Sequence, residues 1–425
     1  MRKRVVITGM GVAAPNAHGL DDFEQALRAG ISGIRHIPQL QELNFACQIA
    51  GVPENFDTIR KSYFDREKLL SINDNIGFAS VSAVDAWKDA GFSISDNDDV
   101  VDWDTGVISG SGIGGMDTIA TSVVPIINER KVKRLGSRIV EQVMGSGTSA
   151  RISGLIGAGN QVTSNSSACS TGNEAVIDAL WRIRVGLAKR MIAGGSEGAT
   201  PYIWGGFDAM RVLCRKFNDN PKAGSRPMSA SACGFVPGSG GAMLVLEEME
   251  TALARGAKIY AEIIGGYVNC GGQRMGGTMT APNPEGVRRC IRGAIADAGI
   301  DAAEVDAING HLTATYADPH EVKSWAAALG RTPANFPYIQ STKSLIGHCL
   351  GAAGAIECVA SILQIYKGFL HPSINCEDVH PEIAEYVGKI PQKCLTVPKL
   401  RIIAKAGFGF GDVNSCIIFK KWDKN

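Results

Sequence analysis

With 425 residues, 45% of them hydrophobic and 51 of them glycine, the chain has the make-up of a soluble, turn-rich α/β protein of one large or two similar domains. A formal net charge of +1 excludes a general nucleic-acid binder, so any anionic partner must be met by a local patch. Eleven scattered cysteines without a CxxC pair argue against a disulfide framework or a metal site and favour a reducing cytoplasm.

The basic opening Arg2-Lys3-Arg4 leads into Val5-Val6-Ile7-Thr8, an apolar run too short for a signal peptide and soon broken by Pro15. It predicts a first strand closing in a Gly9-Met10-Gly11 turn. No run of 18 apolar residues follows anywhere, so no membrane span is expected. Helices are expected near 20–29 and 76–91, and a strand over 104–109. The stretch Gly110-Ser111-Gly112-Ile113-Gly114-Gly115 invites a dinucleotide reading. With no helix clearly opening on it and no ribose-binding acid in place, it reads better as a loop lining a pocket.

Cys169 stands among small residues, after the strand end Gln161-Val162-Thr163 and before a helix expected over 172–189. Ala175, Ala179, Leu180, Ile183 and Leu187 give that helix its apolar spacing, and Ser170, Thr171 and Asn173 are candidate caps. A thiol at a helix start lies in the positive end of the dipole, which predicts a lowered pKa and a nucleophile. A small buried hydrophobe is the competing reading for any free cysteine.

The second half repeats the first. Residues 86–92 and the strand ending 107–110 parallel 294–300 and the strand ending 307–310. The helix after Cys169 parallels one over 351–366, and the strand 241–247 parallels 414–420. Such a repeat implies stacked sheets with helices between and outside them, and a site at the seam. His311 follows a strand end, where α/β proteins bind ligands, and His348 lies roughly where Cys169 lies in the other half. One cysteine and two histidines can converge across the pseudo-twofold.

Ser167-Ala168-Cys169-Ser170-Thr171-Gly172, His311-Leu-Thr313-Ala-Thr315, the run from Ser341 to Gly354 around Lys343 and His348, and Gly407-Phe-Gly-Phe410-Gly together resemble the β-ketoacyl-acyl carrier protein synthases. The likeness runs nearly end to end and is strongest to the elongating type II enzymes. It implies the thiolase fold: two pseudo-symmetric βαβαβαββ halves in an α-β-α-β-α layering, here divided as 1–255 and 256–425. It implies Cys169 as acyl-accepting nucleophile, with His311 and His348 as hydrogen-bond donors in decarboxylation and condensation. It further implies an oxyanion hole from the amides of Cys169 and Phe410, with Phe410 also as a gate. Lys343 would organise the site electrostatically with Glu321 and Asp318. Thr313 and Thr315 would bind the pantetheine arm, and Ile113 would line the acyl pocket. The resemblance implies no metal or organic cofactor, substrates carried on the 4'-phosphopantetheine of an acyl carrier protein, and a homodimer.

Several positions depart from the family pattern. Leu312 replaces a glycine beside His311: facing the pocket it should narrow it, and facing a neighbouring helix it would only fill space. Ala232-Cys233 and Ser239 replace charged residues, and Asp412-Val413 replace a Gly-Thr pair. These bear on substrate, which leaves a specialised synthase of polyene or polyketide-like chains as the alternative to fatty acid elongation. A non-catalytic ketosynthase-like subunit is disfavoured by the intact Cys169 and histidines, and a thiolase by Phe410 where a second catalytic cysteine would be expected. The basic cluster Lys131, Lys133 and Arg134, with Arg66, Lys68, Arg215 and Lys216 as possible additions, suits docking of an acidic carrier protein.

Overall fold

Residues 2–94 and 99–423 are described by a computed structural model. Strand β1 (Val5–Ala14) is buried along its whole length. Its glycines do not turn the chain, contrary to expectation. A Cβ on Gly9 would stand 2.2 Å from the carbonyl oxygen of Ala86, and one on Gly11 2.1 Å from that of Ser82. Glycine here lets helix α1 (Asp74–Asp89) lie directly on the strand. Asn73 caps that helix by accepting from the Ile76 N–H.

The first half continues with β2 (Thr105–Gly110), β3 (Val162–Thr163), α2 (Thr171–Arg184), β4 (Arg190–Glu197) and β5 (Gly240–Glu248). Helix α2 stops short of the expected residue 189 because Gly186, at φ 80°, reverses the chain. The second half brings β6 (Ala261–Cys270), α3 (Pro284–Ala298), β7 (Ala307–Asn309), α4 (Asp318–Leu329), β8 (Tyr338–Gln340), α5 (Ala353–Lys367), β9 (Ile402–Gly409) and β10 (Val413–Lys421).

Hydrogen bonding orders the strands β8-β7-β9-β10-β6-β1-β5-β4-β2-β3. The order is a palindrome of the two halves. In each, two antiparallel pairings lead outward to two parallel ones, β4 to β2 to β3 and β9 to β7 to β8. The halves meet where Val5 of β1 pairs with Ile263 of β6.

Helices α2 and α5 pack against each other in a core shared by both halves, with Ala175, Leu180, Ile356 and Ile362 fully buried. Helix α1 covers the outer face of the first half and α3 that of the second. This is the α-β-α-β-α layering of the thiolase fold. It puts the N-termini of α2 and α5, and the strand ends around them, in one place. No helix among the described residues is long and apolar enough to cross a membrane.

Candidate active site

Cys169 lies in a single 3-10 turn (Ala168–Ser170) that runs straight into α2. Ala168 takes a φ of 47°, a sharp left-handed turn for a non-glycine residue. The sulfur comes to rest 3.1 Å from His348 Nε2. His311 follows β7 by two residues, and one donor atom from each of Cys169, His311 and His348 lies within 4.8 Å of the others. The two imidazoles meet edge to face, their centroids 5.3 Å apart. The expected convergence across the seam is thus what the fold produces.

Burial holds both imidazoles well below their usual pKa, and the charges of Lys343 and Lys405 push the same way. Both rings are neutral near pH 7. The Leu350 N–H donates to His348 Nδ1 at 3.1 Å, so the ring proton sits on Nε2, facing the sulfur. His348 is therefore a donor toward Cys169.

The expected lowering of the thiol pKa is not found. Burial pushes Cys169 up to about 11 and outweighs the opposing pulls of the Lys343 charge and the Phe410 N–H. The resting sulfur is a thiol, and the dipole of α2 alone does not ionise it.

The Lys343 charge reaches Glu321, as expected, but its ion pair is made elsewhere. Lys343 Nζ lies 2.5 Å from one oxygen of Glu357, and Lys405 Nζ lies 2.8 Å from the other. All three side chains are fully buried. Glu321 and Asp318 are already engaged by backbone. Glu321 accepts the N–H groups of His311 and Leu312, both at 2.7 Å. Asp318 accepts those of Thr313, Ala314 and Met228. Two carboxylates on the first turns of α4 thus fix the loop that carries His311. Burial lifts Glu321 to about 7, against the pull of those amides.

Comparison with known proteins agrees with this geometry. Residues 2–252 match the N-terminal domain of beta-ketoacyl synthase and residues 260–377 its C-terminal domain. The chain belongs to the β-ketoacyl synthase family. It is 34% identical to a 3-oxoacyl-[acyl-carrier-protein] synthase 2 of Synechocystis sp., over 99% of each chain. A beta-ketoacyl synthase from Burkholderia phymatum superposes with a TM-score of 0.90 at 30% identity, over 99% of this chain and 100% of that one. A type II polyketide ketosynthase in complex with its acyl-carrier protein superposes at 0.88 with 28% identity, over 99% of this chain and all of the other.

In this synthase a cavity of about 370 Å³ opens from Cys169, His311 and His348 to the surface at Met275, Thr280 and Tyr316. Phe410 lines it, and its N–H reaches the Cys169 sulfur. Thr313 and Thr315 line it too, their hydroxyls 3.0 Å apart. Leu312 does not. With φ at 26°, it is fully buried in the core cluster of the second half, which also holds Met228, Val322 and Trp325. The expected narrowing of the pocket by Leu312 is therefore corrected to a packing role.

Ile113 is likewise off this cavity, on an exposed turn. The glycine loop that carries it is filled by a buried carboxylate. Glu197 accepts from Ser111 Oγ and from the N–H groups of Gly112, Ile113 and Gly351. Lys131, Lys133 and Arg134 are exposed around a 3-10 turn (Val132–Arg134), with Lys131 paired to Glu129 at 2.7 Å, and none of them lines the cavity.

Sequence reasoning missed Glu357, Lys405 and Glu197. One signal was available: Lys405 interrupts the apolar strand run Ile402-Ile403-Ala404. A lone lysine there must find a buried partner.

Proposed function

We propose that this synthase extends fatty acyl chains by decarboxylative Claisen condensation of an acyl thioester with malonyl-acyl carrier protein. The observation that carries the reading is the cluster of Cys169 with two neutral imidazoles, one of them fixed as an Nε2–H donor by Leu350. The Cys169 sulfur attacks the thioester carbonyl, its proton passes to the departing carrier sulfur, which leaves as a thiol, and the acyl group stays on Cys169. The N–H groups of Cys169 and Phe410 receive the oxyanion. The malonyl thioester carbonyl then accepts from His311 and His348. Loss of carbon dioxide leaves an enolate whose carbon attacks the acyl carbonyl and expels the Cys169 thiolate. Donors rather than bases are what an enolate needs, and neutral rings are what this burial provides.

The reaction calls on no resident metal or organic cofactor, only on substrates carried by phosphopantetheine, for whose arm Thr313 and Thr315 are assigned. The exposed cluster Lys131, Lys133 and Arg134 is the docking patch we assign to the acidic carrier protein. The enzyme works as a homodimer, joined along the sheet edge at β3, where Val162 is exposed. A monomer by light scattering at micromolar concentration would refute that. A reducing cytoplasm fits the free thiols.

Intact-mass analysis tests the reaction in order. The chain should gain the acyl mass from acyl-carrier protein and lose it on addition of malonyl-carrier protein, with a β-ketoacyl product on the carrier. Acylation without condensation would refute the assignment of the histidines. A strong preference for polyunsaturated acyl groups would move the enzyme to a polyene pathway.

A further inference from the structure

Away from the catalytic cluster, Cys214 and Cys233 form a second close thiol pair, with their sulfur atoms 3.1 Å apart. Backbone pairing holds them together. The Cys214 N–H donates to the Phe235 carbonyl at 2.9 Å, and the Phe235 N–H to the Val212 carbonyl at 3.0 Å. Cys214 is buried and Cys233 half-buried, so one sulfur is reachable and the other waits behind it.

The N–H groups of Arg215 and Lys216 lie close to the thiol pair, that of Lys216 near both sulfurs, and the Lys216 charge lies nearby. With the Cys214 S–H they make a small anion-holding nest that lowers the Cys233 thiol. The hydrogen bond of Cys214 to Cys233, and after it burial, push the Cys214 thiol the other way and keep its proton in place. Cys47, close by, does not compete: its thiol donates to the Ile49 carbonyl, and burial pushes it up to about 12.

We propose that Cys214 and Cys233 are a reversible disulfide site, closed by a hydroperoxide and reopened by a dithiol reductant, behind the part of the active-site cavity wall formed by Val212 and Phe235. The Cys233 thiolate attacks the terminal oxygen of the peroxide, the O–O bond breaks, and a sulfenic acid forms with release of hydroxide or alkoxide. The Cys214 thiol then attacks the Cys233 sulfur. The S–S bond forms, the S–O bond breaks, and water leaves with the Cys214 proton. Two thiols are oxidised and one peroxide is reduced.

The bond would tie two segments that meet at the site. Phe235 lines the cavity and packs edge-on against the His348 ring at 5.2 Å. The Gly234 N–H donates to the Ala314 carbonyl, between Thr313 and Thr315.

The test uses the whole chain, first reduced, then treated with one equivalent of hydrogen peroxide, alkylated with iodoacetamide and digested for mass spectrometry. The expected product is a cross-linked peptide pair, two hydrogens lighter than the sum of its thiol peptides, that disappears with dithiothreitol. In Cys214→Ser the cross-link is lost and Cys233 is trapped by dimedone as a sulfenic acid. Two results would overturn the proposal. One is recovery of both residues as alkylated thiols at a peroxide dose that oxidises Cys169. The other is Cys233 found only as a sulfinic acid, without any cross-link.

Discussion

The turn before α2 and the turn before α5 are the same device built twice. Ala168 has φ 47° and Leu350 φ 49°, each opens a single 3-10 turn, and the helices follow at Thr171 and Ala353. By that register Cys169 corresponds to Gly351, and His348 comes three residues earlier. Gly351 cannot carry a side chain: a Cβ there would stand 2.5 Å from the Gly112 nitrogen and 2.8 Å from a Glu197 oxygen. The register also sets Ala175 opposite Glu357, and both are buried. One half therefore presents a thiol among small residues. The other half supplies the two imidazoles and the buried Lys343–Glu357–Lys405 charges. A duplicated scaffold lets the two tasks be packed separately and still meet.

The largest test of that division is Cys169→Ala. Alanine fits the turn, so the fold should persist while acylation disappears from the intact-mass spectrum. An acyl adduct on this variant would place the nucleophile elsewhere.

Glu357→Gln attacks the other half. It leaves Lys343 and Lys405 buried with no counter-charge, and breaking such a pair costs about 3–5 kcal/mol. The loss should appear as a lower denaturant midpoint with an unchanged slope. An unchanged midpoint would mean that water reaches the pair.

Leu312→Ala separates packing from specificity. Removing a buried leucine costs about 2–5 kcal/mol, while the preference among acyl chain lengths should not move, since Leu312 is off the cavity. A shifted preference with stability intact would return Leu312 to the pocket wall.

Much of this was legible in the chain. Cys169, His311 and His348 stand in small-residue turns at the ends of repeated units, and the repeat itself predicts that they meet. What could not be read depends on backbone angles or on distant partners. Nothing in a leucine next to a histidine says that its φ is positive, and so that its side chain leaves the pocket. Gly9 and Gly11 look like a turn until α1 is laid against them. Glu321 and Asp318 were legible as important acids, but their partners are backbone N–H groups, which sequence does not display. Cys214 and Cys233 have no recognisable spacing because a loop, not a motif, brings them together.

The smallest expected effect is also the most specific. Lys405→Met keeps the Lys343–Glu357 pair and removes the second cation behind the histidines. Burial remains the main cause of their low pKa, with Lys343 next, so the rings stay mostly neutral near pH 7. Losing the Lys405 charge must nevertheless raise both pKa values toward the ordinary imidazole value. Protonation at Nδ1 would set a new N–H of His348 against the Leu350 N–H and undo the bond that aims the ring, so the acid limb of condensation should move to higher pH while the rate on the plateau is little changed. The limb is read by pre-loading the acyl group on Cys169 and following carbon dioxide release from malonyl-carrier protein across pH. Acylation measured alone should keep its own profile at higher pH, because there the titrating group is the Cys169 thiol. An acid limb that does not move would show that Lys405 serves only to hold Glu357. The electrostatic asymmetry between the two halves would then rest on Lys343 alone.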